Sequence, residues 1–371
     1  MARKGINSTH KVYYGRARTT RRRLLIGLLV FIVLLLAAVV GFFFLQEYIV
    51  ATPEGFRFEF PFSQPAGGAE DPASSPDGQA DAPEDPAGTP DEPAAPEEPE
   101  EEPESFTQAI EGDIAQVGDA NYRAQLLTQA QQSGANTLVF TVKDANGSVY
   151  IPTDSALANQ IGAVAADASV AEGLQALRQS GMHLTARLSA NRDNLGARGM
   201  RDSALQTSSG AIWLDYDMIP WLAPSGAQTA EYLGQLAASC QQLGFDGLLL
   251  ANVGYPVRGR TNLITTDQNA DKAALVTQMV SSIRSRVPDM TLAIELTDEA
   301  ATAFSDANSG QVVNSLKAVC DQLVITADTA EDSTVQSLRS VVETQDSTCR
   351  VAVSLPASAN PRSTERNYYL R

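Results

Sequence analysis

The feature that most constrains this chain is the run from Leu24 to Leu45, LLIGLLVFIVLLLAAVVGFFFL, in which no charged residue occurs. A helix needs about 20 apolar residues, at 1.5 Å rise each, to cross a bilayer hydrocarbon core. Arg21, Arg22 and Arg23 stand directly before the run, and residues 1–23 hold eight basic residues and no acid. Positive charge marks the cytoplasmic side, so the pattern predicts a single-pass anchor, 24–45, with a basic cytoplasmic tail, 1–23, and everything later outside the cytoplasm. The competing reading is a cleaved signal peptide, whose apolar core would be about 7–15 residues before a small-residue cleavage site. Ile49-Val50-Ala51 is a poor version of such a site.

Beyond the anchor the chain changes texture twice. Residues 46–63 form a juxtamembrane segment in which Phe56, Phe58 and Phe60 alternate with Arg57 and Glu59. Aromatics resting at the headgroups, an interfacial strand and a partner-binding edge all fit this alternation. Residues 64–105 are dominated by Pro, Ala, Gly, Asp and Glu, with no aromatic, Val, Ile or Leu. Such a segment cannot bury enough apolar surface to offset ordering entropy, so it reads as a disordered acidic linker. Proline and like charge favour extension at about 3.1 Å per residue, a reach on the order of 120 Å. Much of the formal net charge of −17 sits in this linker. The chain shows no basic stripe that a nucleic-acid-binding domain would need.

From 106 to 371 short β-rich runs alternate with helical periods. The runs are Leu138–Val142, Leu184–Leu188, Leu248–Ala251, Leu292–Leu296, Leu323–Thr326 and Val351–Leu355, with a weaker one at Ile110–Val117. Amphipathic stretches precede most of them, for example Tyr122–Gln132, Thr229–Leu243 and Lys272–Arg286. This βαβα order predicts a parallel sheet covered by helices, and the length suits a TIM-like (β/α)₈ barrel, complete or short of its last unit. Asn367-Tyr-Tyr-Leu370 is the candidate for that unit. An open doubly wound sheet is the alternative, although no Gly-rich phosphate loop follows the first strands.

Strand alternation then assigns faces. Leu292, Ile294 and Leu296 share one side and Ala293 and Glu295 the other; Leu184, Ala186 and Leu188 oppose Thr185 and Arg187. With the apolar sides against the helices, Lys143, Arg187, Glu295 and Asp328 are predicted to face one cavity near the carboxyl ends of the strands, where barrel enzymes keep their chemistry. A self-satisfied internal ion network would give the same pattern.

Other chemistry is limited by what is present. The two histidines are His10 and His183, and His183 starts its strand, the wrong end for a Ser-His-Asp site. No cofactor motif and no histidine-rich metal site appears. Asp202, Asp215 and Asp217 cluster in sequence, but spacing alone does not separate a calcium site from solvated loop acids. Cys320 and Cys349 each precede consecutive strands, which makes a bridge geometrically feasible outside the cytoplasm. Cys240 lies on an apolar helix face.

Separated blocks in the middle of the domain resemble a family of glycoside hydrolase-like barrel domains of bacterial envelope proteins. They are Gly134-Ala-Asn-Thr-Leu-Val-Phe-Thr-Val-Lys-Asp144 with Gly147, Gly181–Arg187, Gly210-Ala-Ile-Trp213, Trp221-Leu-Ala-Pro224, Leu243-Gly-Phe-Asp-Gly247 and Tyr255-Pro256. The resemblance implies a barrel that takes cell-wall or extracellular polysaccharide. It also exposes departures. The family's strand after Gly-Phe-Asp ends in Asp, followed three residues on by Arg; those positions are Ala251 and Gly254 here. The family's Asp two residues before Lys-Asp is Thr141 here. Glycoside hydrolysis uses two carboxyl groups about 5–10 Å apart, so two inward acids of the family pattern are missing. Two functions of different class remain. One is a degenerate barrel that binds glycan, with Trp213, Trp221 and Tyr216 for stacking and Lys143, Arg187 and Asn191 for polar contacts. The other is an active glycosidase using Glu295 with Asp328 or Asp144. A protein-binding envelope scaffold is also compatible with the sequence.

Overall fold

The computed structural model describes residues 49–52, 55–58, 107–329, 331–345, 347–359 and 367–371. The basic tail, the apolar run 24–45 and the acidic linker lie outside the described residues. Among the described residues no helix is long and apolar enough to cross a membrane. Ile49–Thr52 pairs antiparallel with Gly55–Phe58. Residues 107–371 belong to a separate compact unit.

That unit is a closed barrel of eight parallel strands. They are β1 (Gln108–Gly112), β2 (Thr137–Lys143), β3 (His183–Ser189), β4 (Gly247–Ala251), β5 (Thr291–Glu295), β6 (Gln322–Thr326), β7 (Arg350–Leu355) and β8 (Tyr368–Leu370). Neighbours follow chain order, and β8 closes the ring by pairing with both β7 and β1. The eighth strand is therefore present, made by the candidate segment. Asn367 guides it in: its Oδ1 accepts the Thr107 N–H at 2.9 Å.

Helices cover the outside: α1 (Ala120–Ser133), α2 (Val170–Gln179), α3 (Thr229–Gln242), α4 (Lys272–Arg284), α5 (Asp298–Ala303) and α6 (Ser333–Val342). Caps fix several ends. Asp119 accepts from Asn121 N, Asp271 from Ala274 N and Asp332 from Thr334 N, each satisfying a donor with no intrahelical partner. Gly134 ends α1 at φ 69°, a left-handed conformation that glycine takes cheaply.

The alternation of side chains is borne out. Leu184, Leu188, Leu248, Leu250, Leu292, Ile294, Leu323, Val351 and Val353 pack outward against helix residues such as Leu174, Leu233, Val280 and Leu338. A second cluster fills the interior: Ala109, Val139, Leu249, Ala293, Val324, Ala352 and Tyr369, from every strand but β3. The barrel is thus a packed core rather than a pore.

Two local expectations are corrected. The first strand is Gln108–Gly112 rather than 110–117, because Gly112 and Asp113 end it. A Cβ on Gly112 would lie 2.6 Å from the Phe140 ring, and Asp113 caps a 3₁₀ turn at Ile114–Gln116. Lys143 does not face the interior. The β2–β3 register slips after Thr141, which pairs with Arg187, so that Lys143 pairs with Leu188. This irregularity turns Lys143 to the outer side.

Candidate functional site

The carboxyl ends of the strands carry the polar interior residues. Arg187 on β3 reaches across to Glu295, the last residue of β5. Its Nε donates to Oε1 at 2.9 Å and its Nη2 to Oε2 at 3.1 Å, a bidentate fork. Glu111 on β1 faces the same space and accepts from Thr141 Oγ1 at 3.3 Å. A cavity of about 240 Å³ is lined by Glu111, Arg187, Glu295, Ser354, Tyr369 and Arg371. A broader cavity of about 710 Å³ shares Glu111 and Arg371 with it and adds Tyr122, Thr141, Asp144 and Tyr150.

Electrostatics follow from these contacts. Burial alone would lower the Arg187 guanidinium, but Glu295, and to a smaller extent Glu111, outweigh it and hold it above its ordinary range. Tyr369 is pushed up by burial first and by the Glu295 charge second. Its hydroxyl donates to Gln322 Oε1 at 2.9 Å. Tyr122 is raised by burial and by the charges of Asp113 and Glu111, against the lowering effect of the Asp113 N–H on its hydroxyl oxygen. Tyr150 is raised by burial and by Asp144, to which its hydroxyl donates at 2.9 Å.

The structure brings Arg187, Glu295 and, in the adjoining cavity, Asp144 to the mouth. It separates the rest. Asp328 is exposed two residues beyond β6 and lines none of these cavities. Lys143 is buried and its ammonium lies 2.9 Å from Asp193 Oδ2, donating also to the Ser189 carbonyl at 2.5 Å. Tyr232 shares that pocket, its ionisation driven far up by burial and then by Asp193. Asn191 is fully buried: Nδ2 donates to Leu222 O at 3.1 Å and Oδ1 accepts the Gly254 N–H at 2.8 Å. Trp213 is buried and donates from Nε1 to Arg260 O; Trp221 is half-buried and donates to Asp215. These side chains hold the long β3–α3 excursion together, with Trp213 buried away from any ligand, whereas Tyr216 is 75% exposed. Asp215 and Asp217 both pair with Arg192, and the described residues contain no cluster suited to a metal ion. Cys320 and Cys349 stand side by side as thiols with 4.0 Å between sulfurs.

The positions where the resemblance implies an Asp and an Arg are accounted for in space. Ala251 ends β4 on the inward register, buried beside Ser189. Gly254 has φ +97°, and a Cβ there would sit 2.2 Å from the Ser309 carbonyl oxygen. That backbone, locked by Asn191 and Ser309, has no room for an arginine. The residue that sequence reasoning missed is Glu111. With β1 set at 108–112, alternation with Ile110 would have placed it inward.

A closed parallel barrel with carboxylates and an arginine at its carboxyl mouth defines the class as a (β/α)₈ barrel with a polar mouth. Residues 113–325, more than half of the chain, match the family model described as "Putative glycosyl hydrolase domain", and the chain belongs to that family. No curated protein matches the chain. Among solved structures it is similar to a hypothetical protein from Ruminiclostridium thermocellum, at 19% identity and TM-score 0.45, covering 50% of this chain and 96% of that one. It is also similar to the glycoside hydrolase domain of PelA from Pseudomonas aeruginosa, at 10% identity and TM-score 0.40, covering 68% and 84%. A third likeness is to the α-galactosidase TtGalA from Thermus thermophilus, at 12% identity and TM-score 0.38, covering 62% of this chain and under half, 44%, of the galactosidase.

Proposed function

We propose that this protein is a membrane-anchored, extracytoplasmic barrel that binds cell-envelope polysaccharide without hydrolysing it. The observation that carries the reading is the Arg187 fork, which engages both oxygens of Glu295. A carboxyl group so held is poorly placed to hand a proton to a leaving group. The alanine at 251 and the threonine at 141 remove the two acids of the family pattern, and the Gly254 backbone excludes the arginine. The apolar run 24–45 and its arginines support the anchor, and the acidic linker would let the barrel reach the wall. No cofactor and no nucleic acid enters this function; envelope proteins are further candidate partners.

A second reading is favoured by Glu111, which lines the same cavity as Glu295. In a hydrolase the two carboxyl groups would divide the acid and the nucleophile or base roles between them. Full-length protein incubated with envelope glycans separates the two. Retention on insoluble wall material with no new reducing ends supports binding alone. Reducing ends that appear with wild type and vanish in Glu295→Gln and Glu111→Gln overturn it.

A further inference from the structure

The charge around the broader cavity carries the proposed function one step further, to the class of sugar. In the smaller cavity the Glu295 carboxylate is taken by Arg187. In the broader one Glu111 and Asp144 are lining acids, and among the described residues neither is in an ion pair. Their hydrogen-bond partners are neutral: Thr141 for Glu111, and the Tyr150 hydroxyl and Ser148 N–H for Asp144; Glu111 also feels the Arg187 guanidinium across the smaller cavity. Asp113, a third lining acid, is spent on its own turn and on Gln116. Arg371 is the one cation among that lining.

The walls between these acids are Tyr122 and Tyr150. Both hydroxyls are occupied, Tyr122 by the Asp113 N–H at 2.5 Å and Tyr150 by Asp144. Each ring is therefore fixed by a hydrogen bond at its tip. A ring held in this way presents a face to a sugar or a cation at little entropic cost. The carboxylates raise both tyrosines in part, as expected where the local potential is negative. A cavity of about 710 Å³ is of the size that holds small ligands, about 300–1,000 Å³.

Resting on the polysaccharide-binding reading, we propose that this cavity selects sugars carrying a free amine, with the ammonium of an unacetylated hexosamine set between Glu111 and Asp144. A neutral or N-acetylated sugar would cover Asp144 and the more exposed Glu111 without bringing a counter-charge of its own, which disfavours it. Charge-assisted bonds to the ammonium supply the discrimination.

The test uses the full-length protein in detergent, titrated calorimetrically with a glucosamine trisaccharide, its fully N-acetylated counterpart and a neutral glucose trisaccharide. The amine form should bind at least about tenfold tighter, a gap of about 1.4 kcal/mol. Its advantage should shrink as salt is added and as pH rises through the titration of the sugar amine. Glu111→Gln and Asp144→Asn keep shape and acceptor atoms, and each should lower amine affinity about tenfold while leaving thermal unfolding in place. Neutral or acetylated trisaccharide bound as tightly would overturn the amine preference and leave saccharide binding standing. Binding of none of the three would overturn both. Amine affinity unchanged in both variants would place the contact on the acidic linker and overturn the proposal.

Discussion

The guanidinium of Arg187 on β3 spans the barrel mouth to hold both carboxylate oxygens of Glu295 on β5, at 2.9 and 3.1 Å. The pair joins strands that are not neighbours, since β4 lies between them. It therefore fixes the shape of the mouth as well as its charge.

Arg187→Ala should cost about 1–2 kcal/mol in urea unfolding, reduced from the full value of a charged pair because both side chains are partly exposed. Arg187→Lys should recover little of this, because an ammonium cannot reproduce the planar fork. A lysine variant as stable as wild type would show that only the charge matters.

Lys143→Ala should be the more damaging change, by about 3–5 kcal/mol. It leaves Asp193 buried without its ammonium, and Asp193 also caps the short helix Asn194–Gly199 through Gly196 N at 2.7 Å. Thermal melts at neutral pH will read the difference. Glycan binding by whatever protein remains folded should be unchanged, because Lys143 does not reach the mouth.

Gly254→Arg introduces the arginine that the family resemblance implies, and it should destabilise the barrel. The positive φ alone costs a side chain about 1–3 kcal/mol, before the clash with the Ser309 carbonyl. A stable Gly254→Arg protein would mean that the Ser309 loop gives way easily.

Asp215 supplies a pH test. Burial raises its carboxyl, but bonds from Arg192, Ile219 N–H and Trp221 outweigh burial and hold it below the ordinary aspartate value. Its stabilisation is therefore complete above the unfolded aspartate value, about 3.9, and is lost as pH falls through the lower folded value. The melting-temperature gap between wild type and Asp215→Asn should be widest at neutral pH and close in acid below about pH 4. A gap independent of pH would refute the assignment.

The cysteines should separate by chemistry. Burial pushes the Cys240 thiol up to about 12, so it should resist alkylation near pH 8 until the protein unfolds. Cys320 is raised by its contact with Cys349 and by burial. Mild oxidation should remove Cys320 and Cys349 together and leave Cys240; mass spectrometry of unreduced peptides will show whether they pair.

The barrel was legible because period-two alternation and helix period-3.6 stripes are set by local chemistry. Leu292 and Ile294 outside and Ala293 inside needed nothing else. What escaped was what depends on register and on distant folding. One slip after Thr141 carried Lys143 out of the mouth. Glu111 stood in the weakest run, whose apolar residues Ile110 and Val117 fall on opposite parities and so mark no face. Asp328 lies past the end of its strand, where alternation no longer holds. Asn191, Trp213 and Trp221 had the residue types of a sugar site, but the β3–α3 excursion folds over them, and no local signal marks that burial.

The closing strand has a consequence for how the domain is made. Tyr368–Leu370 sits between strands contributed by residues 350–355 and 108–112, so the seam is sealed by the last of the eight strands in chain order. Until it arrives, β1 and β7 are raw sheet edges open to foreign strands. Ring closure therefore waits for synthesis through Leu370, and a barrel cut before Asn367 would be an aggregation hazard rather than a slightly weaker barrel.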